Sequence, residues 1–413
     1  MKISKLHIDQ FRHLENLDFD FTYPEDFHIE EKRGQPLDKI CFIGQSATGK
    51  TSLLELIDIK THNNSYIDYP EEFKHHSSLE KLKAFLCVFF DDSTEEFCIQ
   101  NQEILINYSV EKKLKTNDLT KKIFFPSELN INKVINFLNP DDLQILNFKD
   151  KNSLLENYNQ FKLGENNYKE IYRFLLNDFI DYREKLLKKS SDIFNYSDIN
   201  EIINDLNIWR KENPNPNEEF AIKFNDVLKK LNLEVDINNP SSFLNIKQTK
   251  DDIFIPINSL STGTKLLISL LLPLYKFDTK GSIILIDEPE RSLYPDMQMD
   301  LMEYYQNLAP EAQFIVATHS PFIAASFEAD ERFILYFNEE GKVAVRRGES
   351  PIGDDPNDIL KNDFGLEFLM NKEGVKAFER YRNLKKLLAT EKNDVEKDKL
   401  LEEILSLANA YKF

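Results

Sequence analysis

Two segments carry residue types and spacings suited to phosphate chemistry. Gly44-Gln45-Ser46-Ala47-Thr48-Gly49-Lys50-Thr51, with Ser52 next, is a complete GxxxxGK[ST] loop. Glycines let backbone N–H groups turn inward around phosphate oxygens, and a following helix N-terminus adds partial positive charge. In such a loop Lys50 bridges the β- and γ-phosphates and Thr51 offers its hydroxyl to Mg2+. The chain has only 11 glycines in 413 residues, so a chance match at this spacing is improbable. The second segment, Ser282-Ile283-Ile284-Leu285-Ile286-Asp287-Glu288-Pro289-Glu290, is an apolar run ending in carboxylates, the Walker B pattern. A strand buried on both faces leaves those carboxylates at its C-terminal end, beside the phosphates. Asp287 is placed to hold Mg2+ through water, and Glu288 to orient and deprotonate an attacking water.

These residues need a sheet and helices to position them. Ile3, Leu6 and Ile8, then Leu17, Phe19 and Phe21, alternate as two strands joined around Phe11-Arg12-His13. The apolar run 39–43 predicts a buried strand before the phosphate loop. Residues 50–59 predict a helix after it, with Leu53, Leu54, Leu56 and Ile57 inward. Residues 83–90, 96–100 and 104–110 read as an antiparallel meander, and 123–125 as a short strand stopped by Pro126. From about 140 to 235 strand signals fade. Ile171, Leu175, Phe179, Tyr182 and Leu186 form one helical stripe, and Pro216 starts a further helix. Strands return at 282–286 and 313–317. A hairpin is expected at 332–347, with its turn at 338–341. The tail from about 372 is helical, with Val375, Phe378, Tyr381, Leu384 and Leu388 on one face.

Between the two phosphate motifs lies Asn258-Ser259-Leu260-Ser261-Thr262-Gly263-Thr264-Lys265, about 25 residues before Asp287. It resembles the ABC signature in the LSTGT form of soluble SMC- and RecF-like ATPases. The resemblance implies that Ser261 and the backbone at Gly263 contact the γ-phosphate of ATP bound by a second subunit. Thr318-His319-Ser320-Pro321 resembles the ABC switch region, which implies that His319 hydrogen-bonds the γ-phosphate. Glu288 through Pro295 resembles the D-loop region, with Tyr294 where histidine is common and Ser292 placed to face a second subunit. Phe11-Arg12 resembles an N-terminal element of SMC-like heads that approaches nucleotide, which makes Arg12 a candidate contact. A Q-loop glutamine is not evident: Gln100 and Gln102 lie near the meander, and Pro126-Ser127-Glu128 follows a strand.

The implied fold is α/β: a P-loop NTPase, an ABC ATPase head with a mixed sheet, an antiparallel β subdomain and a helical insertion. The expected division is 1–139 for the N-terminal half of the head and 140–240 for the insertion. Residues 241–371 form the C-terminal half with signature, Walker B and switch histidine, and 372–413 a helical tail. An insertion of about 100 residues is too short for the long coiled coil of a chromosome-organising SMC protein, at about 1.5 Å per helical residue. The chain is similar to the ATPase components of bacterial anti-phage systems such as Septu, PARIS and retrons. That implies ATP and Mg2+, dimerisation around ATP, and a separate protein effector, a nuclease or a toxin.

Composition narrows the rest. Lys plus Arg total 52 and Asp plus Glu 71, a net charge of −19, which disfavours a chain that coats DNA and favours protein partners. A RecF- or SMC-like repair ATPase acting on DNA is the alternative; it predicts a local basic groove and DNA-stimulated hydrolysis. A transporter subunit is disfavoured by the insertion and by the missing Q-loop motif. Cys41, Cys87 and Cys98 lack metal-ligand spacing and read as reduced core residues. The N-terminus lacks a signal-peptide core, and no apolar run approaches the roughly 18 residues of a membrane span, so a soluble cytoplasmic protein is expected. Asp354-Asp355-Pro356-Asn357-Asp358 reads as a solvated loop rather than a nuclease metal site.

Overall fold

The computed structural model describes residues 2–60, 83–89, 96–100, 103–106, 121–127, 160–162, 176–193, 198–237 and 246–413. The N-terminal half contains β1 (Lys2–Phe11), β2 (Leu14–Asp20), β3 (Lys39–Gly44), helix α1 (Lys50–Lys60), β4 (Lys83–Phe89), β5 (Glu96–Gln100), β6 (Glu103–Ile106) and β7 (Lys122–Phe125). The middle contains β8 (Gln160–Lys162), α2 (Asn177–Ile193), α3 (Ile199–Glu212), α4 (Pro216–Lys230), β9 (Leu233–Val235), β10 (Ile246–Gln248) and β11 (Phe254–Ile255). Then come α5 (Thr262–Lys276), β12 (Ile283–Asp287), α6 (Pro295–Leu308), β13 (Gln313–Ala317) and α7 (Pro321–Ala324). The chain closes with β14 (Arg332–Phe337), β15 (Val343–Arg347), α8 (Pro356–Asn362), α9 (Lys372–Thr390) and α10 (Asp394–Tyr411).

The central sheet has seven strands in the order β15-β14-β3-β13-β12-β7-β8. The pairs from β14 to β8 are parallel, and β15 returns antiparallel at one edge, which makes the sheet mixed. Side chains alternate along a strand, so each central strand feeds two cores. Ile40, Phe42, Ile283, Leu285 and Ile315 pack on one face with α1 and the apolar sides of β1 and β2. Ile43, Ile284, Ile286, Phe314 and Val316 pack on the other, against α4, α5 and α6. Helix α5 is buried over most of its circumference, as expected of a helix pressed between sheet and outer helices. A second, antiparallel sheet in the order β2-β1-β4-β5-β6 includes the anticipated meander except residues 90 and 107–110, which lie outside the described residues, and a small third sheet joins β9, β10 and β11. Leu53, Leu54, Leu56 and Ile57 are all buried, as their spacing required. Cys41 is buried and free in β3; Cys87 and Cys98 lie in β4 and β5.

Three local readings are refined. The stretch read as helical also contains β8 and β9. Gln160–Lys162 is too short to show a period, and its pairing with β7 makes it a strand. Phe179 of the anticipated stripe is buried, whereas Ile171 and Leu175 lie outside the described residues. Pro216 does open α4, with Asn215 as its N-cap. The tail stripe is packed from within the chain: Phe378 and Tyr381 sit 5.3 and 5.5 Å, ring to ring, from Phe413. In the acidic loop after β15, Asp355 caps α8, and no cluster of three His, Cys, Asp or Glu suited to a metal occurs among the described residues. No helix among them is long and apolar enough to cross a membrane.

Candidate nucleotide site

The candidate residues gather at the C-terminal ends of β3, β12 and β13, where a parallel sheet presents its loops. Strand β3 ends at Gly44, and five residues lead to Lys50, the first residue of α1. A Cβ at Gly44 would lie 2.3 Å from the Leu335 carbonyl oxygen of β14, so only glycine lets the loop sit this close to the sheet. Gly49 has φ +94°, and a Cβ there would meet Leu14 at 2.8 Å. Thr48 is buried and donates its hydroxyl to the Gln45 carbonyl at 2.8 Å, which braces the loop while Gln45, Ser46 and Ala47 stay exposed. Lys50 is 7% exposed and donates to the Gly44 and Gln45 carbonyls at 2.9 and 3.1 Å. Burial lowers its pKa, opposed by the nearby carboxylates of Asp287, Glu288 and Glu290.

Thr51 donates its hydroxyl to Asp287 Oδ2 at 2.9 Å, joining two motifs 236 residues apart. Asp287 is 5% exposed. Burial raises its pKa and the charge of Glu288 adds to this, while hydrogen bonds from Thr51 and Ser127 oppose it. Glu288 has φ +52° and a partly exposed carboxylate. A non-glycine residue held left-handed aims its side chain away from the strand direction, and such strain collects at functional sites. His319 lies just past β13, and its pKa is lowered, first by burial and then by the Lys50 charge. Arg12 has φ +55° and reaches α1, donating to Ser52 at 3.0 Å and to Glu55 at 2.6 Å.

Ser261 caps α5: its Oγ accepts the Thr264 N–H at 3.2 Å and lies 2.8 Å from the Thr264 hydroxyl. Gly263 is seated on the D-loop, where an added Cβ would lie 2.2 Å from the Ser292 carbonyl oxygen. Ser261 has no hydrogen bond to the phosphate loop of its own chain. A cavity of about 150 Å3 beside this contact is lined by Ser127, Thr262, Asp287, Glu288 and Ser292, among others. A larger depression, about 480 Å3, lies between α2 and the start of α4, away from these groups.

Three residues of the site emerge only from the folded arrangement. Ser127, just after β7, hydrogen-bonds Asp287. Glu290 accepts from the Thr318 hydroxyl and the His319 N–H, and Gln298 accepts from the Ser320 hydroxyl. Glu290 stands inside a legible motif, but the contacts of Ser127 and Gln298 span 160 and 22 residues without any local spacing.

Phosphate loop, acidic strand end and sensor turn together suit a nucleoside triphosphate. The loop from Gly44 to Lys50, seated close against Leu335 and Leu14 by its two glycines, suits phosphates, and the Thr51–Asp287 pair suits Mg2+, a cation that keeps several waters and takes few protein ligands. The AAA ATPase domain family matches residues 1–324. The chain belongs to this family. It thus carries an ATPase domain, and two curated proteins are similar to parts of it. The Septu protein PtuA of Bacillus thuringiensis is 29% identical over 131 residues, 27% of this chain and 33% of that protein. The retron Vc95 probable ATPase of Vibrio cholerae serotype O1 biovar El Tor is 27% identical over 221 residues, 49% of this chain and 40% of that protein. The similarity thus spans well under half the length of these relatives. Among solved structures, the SMC head domain from Thermotoga maritima matches with a TM-score of 0.42 at 12% identity, over 85% of this chain and 100% of that one.

Proposed function

We propose that this AAA ATPase is a cytoplasmic ATP-driven switch. Two copies close around ATP, and the pair serves as sensor and scaffold for a separate effector, a nuclease or a toxin, in anti-phage defence. The observation that carries the reading is the division of labour within one chain. Lys50, Thr51, Asp287, Glu288 and His319 converge at the sheet end, while among the described residues the side chain of exposed Ser261 hydrogen-bonds within its own helix cap. A site with its phosphate sensor left outward is completed by a second copy.

In this scheme the backbone amides of residues 45–50 and the Lys50 ammonium bind the phosphates. The Thr51 hydroxyl and Asp287 would hold Mg2+, which would supply charge neutralisation of the phosphate oxygens. Glu288 takes the proton of the attacking water. His319 is neutral at pH 7, because burial and Lys50 lower its pKa, so one ring nitrogen can donate to the terminal phosphate. Arg12 steadies the first turn of α1 through Ser52 and Glu55. Ser261 and Gly263 of the second copy approach the same phosphate. Hydrolysis removes the group both copies hold, and the pair opens.

Similarity to a Septu protein and a retron ATPase supports the defence role. The net charge of −19 supports a protein partner over DNA. The test is to express the chain with its neighbouring genes in a phage-sensitive host. Protection lost in Lys50→Ala, with the product of an adjacent gene co-purifying with the parent chain, is the expected result. Full protection by Lys50→Ala, or salt-dependent DNA binding by the purified chain without a protein partner, would overturn it.

A further inference from the structure

The turn that carries His319 is gripped by a carboxylate for which the scheme above has no use. Glu290 Oε1 accepts the His319 backbone N–H at 2.7 Å, and Oε2 accepts the Thr318 hydroxyl at 2.8 Å. Thr318 Oγ1 in turn accepts the Ser320 N–H at 2.9 Å. The Ser320 hydroxyl donates to Gln298 Oε1 at 2.6 Å, and Gln298 Nε2 donates to the Leu293 carbonyl at 2.8 Å. Leu293 follows Ser292, on whose carbonyl Gly263 is seated. An unbroken series of short contacts thus runs from the signature helix, through the D-loop, to the backbone of His319. Two of its polar side chains, Glu290 and Gln298, project from the segment just after β12.

We propose that Glu290 is a positioning residue for ATP hydrolysis. Its two carboxylate oxygens fix the backbone of His319. With Gln298, Glu290 ties that turn to the Ser292–Gly263 contact, so that a shift of the signature helix is felt at the sensor histidine. The inference rests on the reading that ATP is hydrolysed at this site. Charged acceptors make stronger hydrogen bonds than neutral ones, and both oxygens here meet well-placed donors. Rigid placement matters because small displacements of a reacting group slow chemistry steeply.

The test is a double-mutant cycle on the purified full chain, with hydrogen exchange as a readout that does not depend on turnover. Glu290→Ala should lower kcat about tenfold or more, with KM for ATP within about twofold of the parent. Because Glu290 acts through His319, the pair Glu290→Ala with His319→Ala should be no slower than His319→Ala alone, within about twofold. Glu290→Gln keeps an acceptor for the His319 N–H, and the Thr318 hydroxyl can reverse its role, so kcat should return to within about threefold of the parent. Mass spectrometry of a peptide covering residues 317–323 should show faster amide exchange in Glu290→Ala than in the parent. If Glu290→Ala does not fold, Thr318→Val removes one arm of the grip and should show the same dependence on His319. Parental kcat in Glu290→Ala, losses that multiply with His319→Ala, or unchanged exchange in this peptide would each overturn the proposal. Turnover that survives Lys50→Ala counts instead against the ATP site, and the exchange result still decides the grip on the turn.

Discussion

Substituting Gly263→Ala sets two local effects against each other. Gly263 lies in the first turn of α5, where alanine is favoured over glycine by about 1 kcal/mol on helix propensity. Propensity alone therefore predicts a more stable protein. Packing predicts the reverse: the new Cβ would stand 2.2 Å from the Ser292 carbonyl oxygen, whereas ordinary contact begins near 3.4 Å, so the D-loop or the helix must move by about 1 Å. The D-loop cannot yield freely. Ser292 is itself left-handed at φ +60°, and its neighbour Leu293 is held by Glu290 and Gln298. Overpacking of this kind costs about 1–3 kcal/mol, so the net effect is a loss of about 1 kcal/mol. Function should suffer more than stability, since a displacement of about 1 Å in a positioning element can slow turnover about 100-fold. Urea unfolding and steady-state ATP hydrolysis measure the two effects. A variant stabilised by about 1 kcal/mol, or one hydrolysing within threefold of the parent, would refute the reasoning.

Glu288→Gln should retain ATP binding, lose hydrolysis by about 100-fold or more, and accumulate a dimer only when ATP is present; light scattering with and without ATP checks this. Arg332→Met should destabilise the chain by about 3–5 kcal/mol in urea, because it leaves Asp363 buried without the partner now 2.7 Å away, both side chains being 0% exposed. Glu331 has its pKa raised by burial, against Lys39 and hydrogen bonds including that from Tyr23. Stability linked to its protonation is therefore fully present below the unfolded pKa and is lost as pH rises through the folded one. Relative to Glu331→Gln, the parent should lose urea stability as pH rises above the ordinary glutamate range, about 4.5, and a constant difference would contradict this assignment.

The fold was legible wherever chemistry or period is written locally. Gly44 and Gly49 declare a phosphate loop because no other residue fits beside the Leu335 carbonyl or at φ +94°. The run from Ile283 to Ile286 declares a central strand because it must be apolar on both faces. What stayed hidden depends on contacts between distant positions. Strand β8 is defined by its neighbour and not by its own three residues. Ser127 and Gln298 look like ordinary loop and helix residues until Asp287 and Ser320 are set beside them. The tail stripe was visible, but its cover, Phe413, is one ring at the far end of the chain.

The seating of Gly44 against Leu335 has a consequence for synthesis. β14, which forms the wall behind the first glycine of the phosphate loop, leaves the ribosome about 290 residues after that loop. At translation rates of about 5–20 residues per second, that interval is about 15–60 s. For most of it the apolar residues of β3 lack both parallel neighbours, β13 and β14. Nucleotide affinity should therefore await the synthesis of β14. A nascent chain stalled before residue 335 should neither bind ATP nor hide Phe42 and Ile43 from a chaperone.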